Sequence, residues 1–325
     1  MKHHPEQSEV FLKQALFIAG PTASGKSALS LKLAKDLNGV IINADSMQVY
    51  KDLRVITACP SEEDELQAPH RLYRFMDGSE VCSAAYWSEL AMTEIEKAWN
   101  EDKYPIVIGG TGMYFKFLLE GVAKIPDIPD EIRNAVREEA GEHGSEKLHD
   151  ELKGYDPVIA ERLFPGDSQR VCRAVEVYRA TGKPLSEWQK NNEPGPMTAH
   201  DKAGCAHKFI LKPPRDVLYD RCNHRFDMML GEGALEEVEA LMERNLDTSL
   251  PIMRALGVPS LIKLIRGEVS EEEAIEDAKM QTRRFAKRQL TWFRNQFSHW
   301  NCLNAQYLES EYDILMNKIS KKPID

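Results

Sequence analysis

Cysteine pairs with metal-ligand or disulfide spacing are missing from this 325-residue chain. The six cysteines lie far apart and never form a C-x-x-C pair; they are Cys59, Cys82, Cys172, Cys205, Cys222 and Cys302. Their spacing argues against a zinc site and against a disulfide framework. Scattered thiols are typical of a reducing compartment, so we expect a cytoplasmic protein.

Long apolar runs and an excess of positive charge are also missing. No apolar run approaches the ~20 residues that a membrane span needs, so we expect no membrane association. The first nine residues are too polar for a secretory signal. The 42 Lys and Arg against 52 Asp and Glu give a net charge of −10, which argues against a general nucleic-acid binder. Nothing in the sequence indicates an oligomer, and we expect a monomer.

A phosphate-binding loop follows the first apolar run. Residues 15–19 are apolar and residues 28–34 predict a helix, so the G-x-x-x-x-G-K-S pattern between them has the strand–loop–helix context of a P-loop. In such a loop the backbone N–H groups converge on a phosphate, the lysine adds positive charge and the serine can ligate Mg²⁺. Its members are Gly20, Pro21, Thr22, Ala23, Ser24, Gly25, Lys26 and Ser27. The loop alone leaves open whose phosphate is bound.

A carboxylate follows the second predicted strand. The run Val40 to Ile42 indicates a buried parallel strand, and Asp45 comes three residues later. Ligands of a doubly wound sheet bind at the carboxyl ends of its strands, so Asp45 should lie near the mouth of the P-loop. The alternative is that Asp45 or Ser46 only caps a following helix.

The next buried strand, over residues 104–108, is not followed by an acid. A P-loop ATPase often places the acid that organises its Mg²⁺ at the end of such a strand. Here the strand ends in Gly109-Gly110-Thr111-Gly112. The absence argues against ordinary nucleotide hydrolysis but leaves a small-molecule kinase open.

The order of these segments predicts an α/β fold, with a P-loop NTPase-like parallel sheet core flanked by helices and an inserted small helical domain. We expect residues 1–122 to form the first part of the core, 123–204 the helical insertion and 205–325 the second part of the core. Within them we expect an irregular, mobile segment over 53–77, a helical region over 130–153, a helix capped by Asp167 or Ser168, and a return linker over 191–204. Ser270 and Glu273 form a capping box that opens the last long helix.

Positive charge is concentrated on that last helix. Positions 279 to 294 contain six basic residues and no acid. Arg284, Lys287 and Arg288 are spaced to share one helix face, which is a candidate footprint for a phosphate backbone. The alternative is a solvated face that pairs with acids elsewhere.

Six stretches, in order and spread over nearly the whole chain, resemble the tRNA dimethylallyltransferase family, the isopentenyl transferases that modify the adenosine beside the anticodon. They are GPTASGKS at 20–27, NADSMQVY at 43–50, GGTGMYF at 109–115, DSQRVCRAVEVYRATGKPLS at 167–186, RCNHRFDMML at 221–230 and KRQLTWFRNQ at 287–296. The P-loop alone would be unspecific, whereas its combination with NADSMQVY and KRQLTWFR is highly specific.

The resemblance implies transfer of the dimethylallyl group from dimethylallyl diphosphate to N6 of the adenosine 3′-adjacent to the anticodon, in tRNAs that read codons starting with U. Diphosphate is the leaving group, so Lys26 and a Mg²⁺ held by Ser27 would stabilise the charge that develops on it. Thr22 is well placed to donate to a phosphate or bridging oxygen. Arg221 and Arg225 share a helix face and would close over the diphosphate, with Arg225 as the preferred clamp.

On the acceptor side, Asp45 is the candidate general base for the adenine amine, and it could also accept a hydrogen bond from that amine. The base must leave its stack to reach a buried site. By the resemblance, the further residues that contact the tRNA anticodon stem-loop are Ser46, Met47, Gln48, Thr111, Arg133, Gln169, Arg170, Arg173, Arg254, Lys287, Arg288, Gln289, Trp292 and Arg294.

The sequence departs from the family at two positions. Cys59 stands where the family usually has a basic residue, so no role is carried to it. Val258 follows Gly257 where the family usually has tyrosine, which removes the basis for a stacking or hydrogen-bonding role there.

Two other functions remain open at this stage. A P-loop kinase of a small metabolite would bind ATP at Lys26 and use Asp45 as the base for a hydroxyl, but it leaves the basic helix unexplained. An RNA-binding module with a vestigial P-loop is the third possibility, and the intact Lys26, Ser27 and Asp45 argue against it.

Overall fold

The computed structural model describes residues 13–306 and 308–319, and the polar first nine residues lie outside this part. The strands are β1 (Ala15–Ala19), β2 (Gly39–Asn43), β3 (His70–Arg71), β4 (Tyr104–Gly109), β5 (Val122–Ala123), β6 (Asn192–Glu193), β7 (Ala206–Leu211) and β8 (Asn301–Leu303). The helices are α1 (Lys26–Asp36), α2 (Glu62–Gln67), α3 (Ala84–Asn100), α4 (Gly112–Leu119), α5 (Asp130–His143), α6 (Ser145–Tyr155), α7 (Pro157–Arg162), α8 (Ser168–Thr181), α9 (Leu185–Trp188), α10 (Thr198–Lys202), α11 (Arg215–Gly231), α12 (Ala234–Glu243), α13 (Val258–Ile265), α14 (Glu271–Gln296) and α15 (Leu308–Ile319), with a 3₁₀ helix at Pro251–Arg254. Within the described ranges, no helix is both long enough and apolar enough to cross a membrane.

Six strands form one parallel sheet in the order β3-β2-β4-β1-β7-β8. Strand β1 lies inside it, with Phe17 opposite Val107 of β4 on one side and Lys208 of β7 on the other. Strands β1 and β2 are buried along their whole length, as expected when helices cover both faces of a parallel sheet. The predicted α/β class with a parallel sheet flanked by helices is confirmed.

Two hydrophobic cores hold β1 from opposite sides. Phe17 packs into a cluster that contains Trp87 of α3, whereas Leu16 and Ile18 pack into a second cluster with Leu33 of α1. Successive side chains of a strand point to opposite faces, and each fully buried large side chain contributes about 1.5–3 kcal/mol. The P-loop therefore begins from a strand that is fixed on both faces.

The segment 53–77, predicted from the sequence to be irregular and mobile, contains one short helix and one short strand. Ser61 and Asp64 form a reciprocal capping box that opens α2, and β3 then pairs His70 with Ile41 at the edge of the sheet. Glu237 of α12 accepts hydrogen bonds from three consecutive backbone N–H groups, those of residues 54–56. The sequence did not indicate these two elements, because elements of two and six residues are too short to leave a periodic pattern.

The chain divides into two compact units, and the smaller one is Glu120–Gly195. It contains α5 to α9 and an antiparallel pair, β5 and β6. The helical region expected over 130–153 is two helices, because Gly144 interrupts it with a φ of +80°. Asp167 caps α8 by accepting a hydrogen bond from the N–H of Arg170, and Gly182 ends the helix in a left-handed conformation.

The larger unit consists of Met1–Leu119 and Pro196–Asp325. Residues 196–204, expected in the insertion and its linker, therefore belong with the sheet. Met197 is fully buried in the core of the larger unit and donates its N–H to the carbonyl of Leu118 at 2.9 Å. The composition rich in Pro, Gly and Ala predicted a linker, but further contacts anchor this stretch: the Thr198 hydroxyl donates to the carbonyl of Leu119 at 2.7 Å, and the His200 ring stacks on Trp99.

Candidate functional site

The P-loop turns from β1 into α1 through conformations that glycine permits. Gly25 precedes the first helical residue with a φ of +91°, in the left-handed region. A Cβ added to Gly20 would lie 2.9 Å from the hydroxyl of Ser24. The loop therefore closes tightly on itself, and Ser27 is exposed in the first turn of α1.

Inside the loop, the ammonium of Lys26 donates hydrogen bonds to the carbonyls of Gly20 at 2.9 Å and Pro21 at 2.8 Å. Burial lowers the pKa of Lys26 from its ordinary value to about 8, while the Asp45 carboxylate opposes this shift. A phosphate bound beside the ammonium would favour its charged form. The loop thus contains a cation that an anionic ligand would stabilise.

Asp45 lies just beyond β2, in a turn held by Asn43. The Asn43 side chain accepts from the Asp45 N–H at 2.8 Å and donates to the carbonyls of Asp45 and Leu72, both at 3.0 Å. One carboxylate oxygen of Asp45, Oδ1, accepts from the N–H of Met47 at 3.0 Å. No helix begins between residues 46 and 60, so the helix-cap alternative is wrong. The other oxygen, Oδ2, faces the turn after β4, 3.5 Å from a Cβ added to Gly110.

The glycines of the turn after β4 have no room for a side chain. The atoms that an added Cβ would meet are the Ala44 carbonyl oxygen at 2.0 Å for Gly109, Gln289 Nε2 at 2.2 Å for Gly110 and the Trp292 ring at 2.1 Å for Gly112. Beside them, the Thr111 hydroxyl accepts from the N–H of Ser46 at 2.9 Å. The turn that lacks an acid is therefore a close-packed junction between β2, β4 and α14.

Gln289 and Trp292, both predicted to contact tRNA, lie in this junction. Gln289 is buried; its amide oxygen accepts from the N–H of Thr22 and its amide nitrogen donates to the Gly110 carbonyl, both at 2.9 Å. Trp292 is half-buried, with its ring centroid 4.9 Å from that of Phe297. The tRNA contacts of both residues remain predictions, and the described contacts of both are internal.

Arg225 reaches the P-loop from α11. Its guanidinium donates a hydrogen bond to the hydroxyl of Thr22, and burial lowers its pKa. Arg221, one turn earlier, donates instead to the carbonyl of Ala305 at 3.4 Å. The structure therefore brings one of the two predicted arginines into hydrogen-bond contact with the loop.

The basic face of α14 is exposed. Arg284, Lys287, Arg288 and Arg294 form no ion pair with an acid among the described residues, whereas Lys279 pairs with Asp227 at 2.6 Å. The alternative of a face neutralised by acidic neighbours therefore applies to the start of this basic stretch and not to its exposed part.

The remaining predicted contacts lie in several elements. Gln48 is anchored by hydrogen bonds from its amide to the carbonyls of Thr57 at 2.9 Å and Ala58 at 2.8 Å. Arg254 is exposed at the end of the 3₁₀ helix. In the smaller unit, Arg133 lies on α5 and the other three residues lie on α8: Gln169, Arg170 and Arg173.

The two positions that depart from the family have internal roles. The thiol of Cys59 lies 3.3 Å from the hydroxyl of Thr57, and burial raises its pKa to about 12, so it is neutral. With Arg225 it lines a cavity of about 290 Å³. Val258 is fully buried against the C-terminal helices, where it cannot stack on a base.

Sequence reasoning missed several supporting side chains. Asn43 had a detectable signal, because an Asn two residues before the candidate base can hold its turn. The bridging role of Gln289 and the capture of residues 54–56 by Glu237 had no local signal, since each joins segments more than 170 residues apart.

The fold and the site define a class of protein: a P-loop α/β protein whose phosphate loop shares its mouth with a carboxylate and with an arginine from a later helix. The sequence matches the family described as IPP transferase over residues 48–296. The tRNA dimethylallyltransferase of Methylobacterium nodulans is 48% identical over 301 residues, covering 92% of this chain and 98% of that relative.

Solved structures of tRNA isopentenyl and dimethylallyl transferases are also similar to this chain. The tRNA delta(2)-isopentenylpyrophosphate transferase of Staphylococcus epidermidis is 34% identical and superimposes with a TM-score of 0.66, covering 95% of this chain and 100% of that one. A eukaryotic dimethylallyltransferase described as acting on tRNA superimposes with a TM-score of 0.76 at 28% identity, covering 96% of this chain and 82% of that one. This chain belongs to the IPP transferase family and is a prenyl-group transferase.

Proposed function

We propose that the protein transfers the dimethylallyl group of dimethylallyl diphosphate to N6 of the adenosine 3′-adjacent to the anticodon, in tRNAs that read codons starting with U. The observation that carries this proposal is the convergence of Lys26, Asp45 and Arg225 at one mouth, where the charges of the other two influence the pKa of Lys26. A binding site for a diphosphate and a proton acceptor for an amine thereby lie at the carboxyl ends of β1 and β2, the two strands that flank β4. The curated relatives of this family are named tRNA dimethylallyltransferase.

The diphosphate end of the donor binds in the P-loop. Lys26 gives up the carbonyls of Gly20 and Pro21 for phosphate oxygens, and the loop N–H groups add further donors. Thr22 accepts from Arg225 through its oxygen and keeps its own hydroxyl hydrogen to donate to the diphosphate. As the allylic C–O bond breaks, its electron pair remains on the diphosphate, and these donors stabilise the developing charge.

Mg²⁺ suits the oxygens that the loop offers. Among the described residues, no group of three or more His, Cys, Asp or Glu could hold a metal ion. The hydroxyl of Ser27 is exposed at the loop, and the buried hydroxyl of Ser24 has no hydrogen-bond partner within the described part. Ser27 would hold a Mg²⁺ at the loop, because Mg²⁺ prefers oxygen ligands and takes few of them from the protein when phosphates are present. When bound, the ion neutralises charge on the leaving group.

Asp45 acts on the acceptor. The N6 amine forms a new bond to the allylic carbon and loses one proton, which passes to the Asp45 carboxylate. Its Oδ1 is held by the N–H of Met47, so Oδ2 is the oxygen available for the amine. Ser46 in the turn after β2 and Thr111 in the turn after β4 are hydrogen-bonded to each other, and they are suited to fix the base beside the carboxylate.

The tRNA is held by positive charge on both units. The exposed arginines and lysine of α14 bind backbone phosphates in a chain whose net charge is −10. Arg133, Gln169, Arg170 and Arg173 of the smaller unit grip the anticodon stem-loop, whose splayed bases favour recognition by shape. The adenine is flipped out of the loop to reach Asp45.

Incubation with labelled dimethylallyl diphosphate, Mg²⁺ and unmodified tRNA tests the proposal. Label is expected to enter the tRNA, and nuclease digestion should recover it on the adenosine next to the anticodon. Transfer of phosphate from ATP to a metabolite, without labelled tRNA, would establish the kinase instead. Tight tRNA binding with neither reaction would establish the RNA-binding module.

A further inference from the structure

Gln289 connects two loops of the candidate site to the basic helix. It lies on α14 next to the exposed Lys287 and Arg288, but the residue itself is only 6% exposed. It accepts from the Thr22 N–H and donates to the Gly110 carbonyl, each at 2.9 Å. Both ends of a buried amide are thus used inside the protein.

The orientation of this amide follows from its partners. A backbone N–H can only donate and a carbonyl can only accept, so the oxygen faces Thr22 and the nitrogen faces Gly110. The fit is close, because a Cβ added to Gly110 would lie 2.2 Å from the amide nitrogen. Loss of the side chain would leave the half-buried N–H of Thr22 and the buried carbonyl of Gly110 without this partner.

Each of the two contacts adjoins a reacting group of the proposed mechanism. The N–H of Thr22 donates to Gln289, and the hydroxyl of Thr22 accepts from Arg225. Gln289 therefore holds the backbone of the same threonine whose hydroxyl is proposed to contact the diphosphate. On the other side, the Oδ2 atom of Asp45 lies 3.5 Å from a Cβ added to Gly110. Gln289 therefore spans from the diphosphate loop to the turn that borders the candidate base.

We propose that Gln289 is a positioning residue, which fixes the P-loop at Thr22 and the turn at Gly110. The distance between the diphosphate leaving group and the Asp45 base is thereby held constant. Gln289 acts through these two backbone groups and does not bind tRNA. The inference rests on the proposed function for its link to the reaction, but its link to diphosphate binding can be measured without turnover.

The test compares the wild-type protein with Gln289→Met and Gln289→Glu. Methionine has a similar length and cannot make either strong hydrogen bond, whereas glutamate keeps the acceptor for Thr22 and, when ionised, loses the donor for Gly110. Gln281→Met is the matched control, because Gln281 lies on the same helix and, among the described residues, its amide donates to Asp277 alone, at 3.3 Å. Affinity for inorganic pyrophosphate, affinity for tRNA, steady-state kinetics and the Tm are measured for each.

In Gln289→Met we expect pyrophosphate affinity and kcat each to fall about tenfold, the size of effect that a lost buried hydrogen bond produces. The affinity for tRNA should stay within about twofold of wild type, since no tRNA contact is removed. The pyrophosphate affinity of Gln289→Glu, relative to wild type at each pH, should recover as pH falls, because the protonated carboxyl can again donate to Gly110. Gln281→Met should match wild type.

Weaker tRNA binding by Gln289→Met, with wild-type pyrophosphate affinity and KM for the donor, would overturn the proposal and make Gln289 a tRNA contact. A lower Tm with unchanged affinity and kinetics would also overturn it, in favour of a purely structural role. If the wild-type protein transfers no dimethylallyl group at all, the proposed function fails, while the pyrophosphate comparison still decides whether Gln289 positions the loop.

Discussion

Arg225 donates a hydrogen bond to the hydroxyl of Thr22, although the two residues are 203 positions apart in the chain. The contact joins α11 to the P-loop and arranges two donors for the diphosphate of the proposed function. The threonine oxygen is occupied as an acceptor, so its hydrogen is free for a phosphate oxygen. Burial of the guanidinium lowers its pKa, but arginine remains charged at any pH used in an assay.

The coupling of this pair can be measured with a double-mutant cycle. Thr22→Val keeps the shape of the side chain and removes the hydroxyl, and Arg225→Gln removes the charge. Each variant is expected to lower kcat/KM about 10- to 100-fold, and the double variant should lose much less than the product of the two effects, because the residues act together. Strictly multiplicative losses would mean that Thr22 and Arg225 act independently.

Asp45→Asn separates the proposed base from its structural contact. Asparagine keeps the oxygen that accepts from the Met47 N–H, so the turn should persist. The kcat is expected to fall about 10²- to 10⁴-fold, the usual contribution of a general base. Asp45→Ala should also lose most turnover while tRNA binding is retained, as measured by filter binding. Full turnover in either variant would remove Asp45 from the base role.

The lowered pKa of Lys26 predicts how the binding of dimethylallyl diphosphate depends on pH. Its pKa in the folded protein is lowered to about 8, below its ordinary value of 10.5, so the folded state loses this proton first as pH rises. The KM for dimethylallyl diphosphate should be constant below about pH 8 and should rise above it, up to about tenfold per pH unit. In Lys26→Met, the KM should be high and should not show this break. A wild-type KM that is flat to pH 9.5 would contradict the prediction.

The same shift has a consequence for stability. Between about pH 8 and 10.5 the unfolded chain holds a proton on Lys26 that the folded protein has released. The contribution of this group to the free energy of unfolding therefore rises with pH across that window. Thermal unfolding of wild type and Lys26→Met at both ends of the window should show this difference, and equal pH trends would contradict it.

The parts of the site that were predictable from sequence are those encoded by neighbours in the chain. The spacing of Gly20, Gly25 and Lys26 defines the P-loop locally. The buried strand before Asp45 places that carboxylate at the carboxyl end of the parallel sheet. The capping box at Ser270 likewise marked the start of α14. In each case a pattern within a few residues determines the geometry.

The parts that were not predictable depend on contacts between distant segments. Gln289 looked like a member of a basic tRNA-binding run, and only its burial against Gly110 reveals the bridge. The role of Glu237 could not be predicted, because the three backbone N–H groups that it binds belong to a distant segment without a recognisable sequence pattern. Strands β3 and β8, of two and three residues, depend on their neighbours in the sheet and carry no periodicity of their own.

The exposed basic face of α14 predicts that the affinity for tRNA depends on salt concentration. If Arg288 contacts a phosphate of tRNA, Arg288→Gln should weaken binding and should reduce the slope of log K against log salt concentration by about one. Lys35→Gln on α1 removes the same charge from another exposed site and serves as control, because net charge alone would act equally in both. Binding of unmodified tRNA by both variants is measured from low to moderate salt. An Arg288→Gln slope equal to that of wild type would show that this arginine does not touch the backbone, and equal effects in both variants would assign the change to long-range charge.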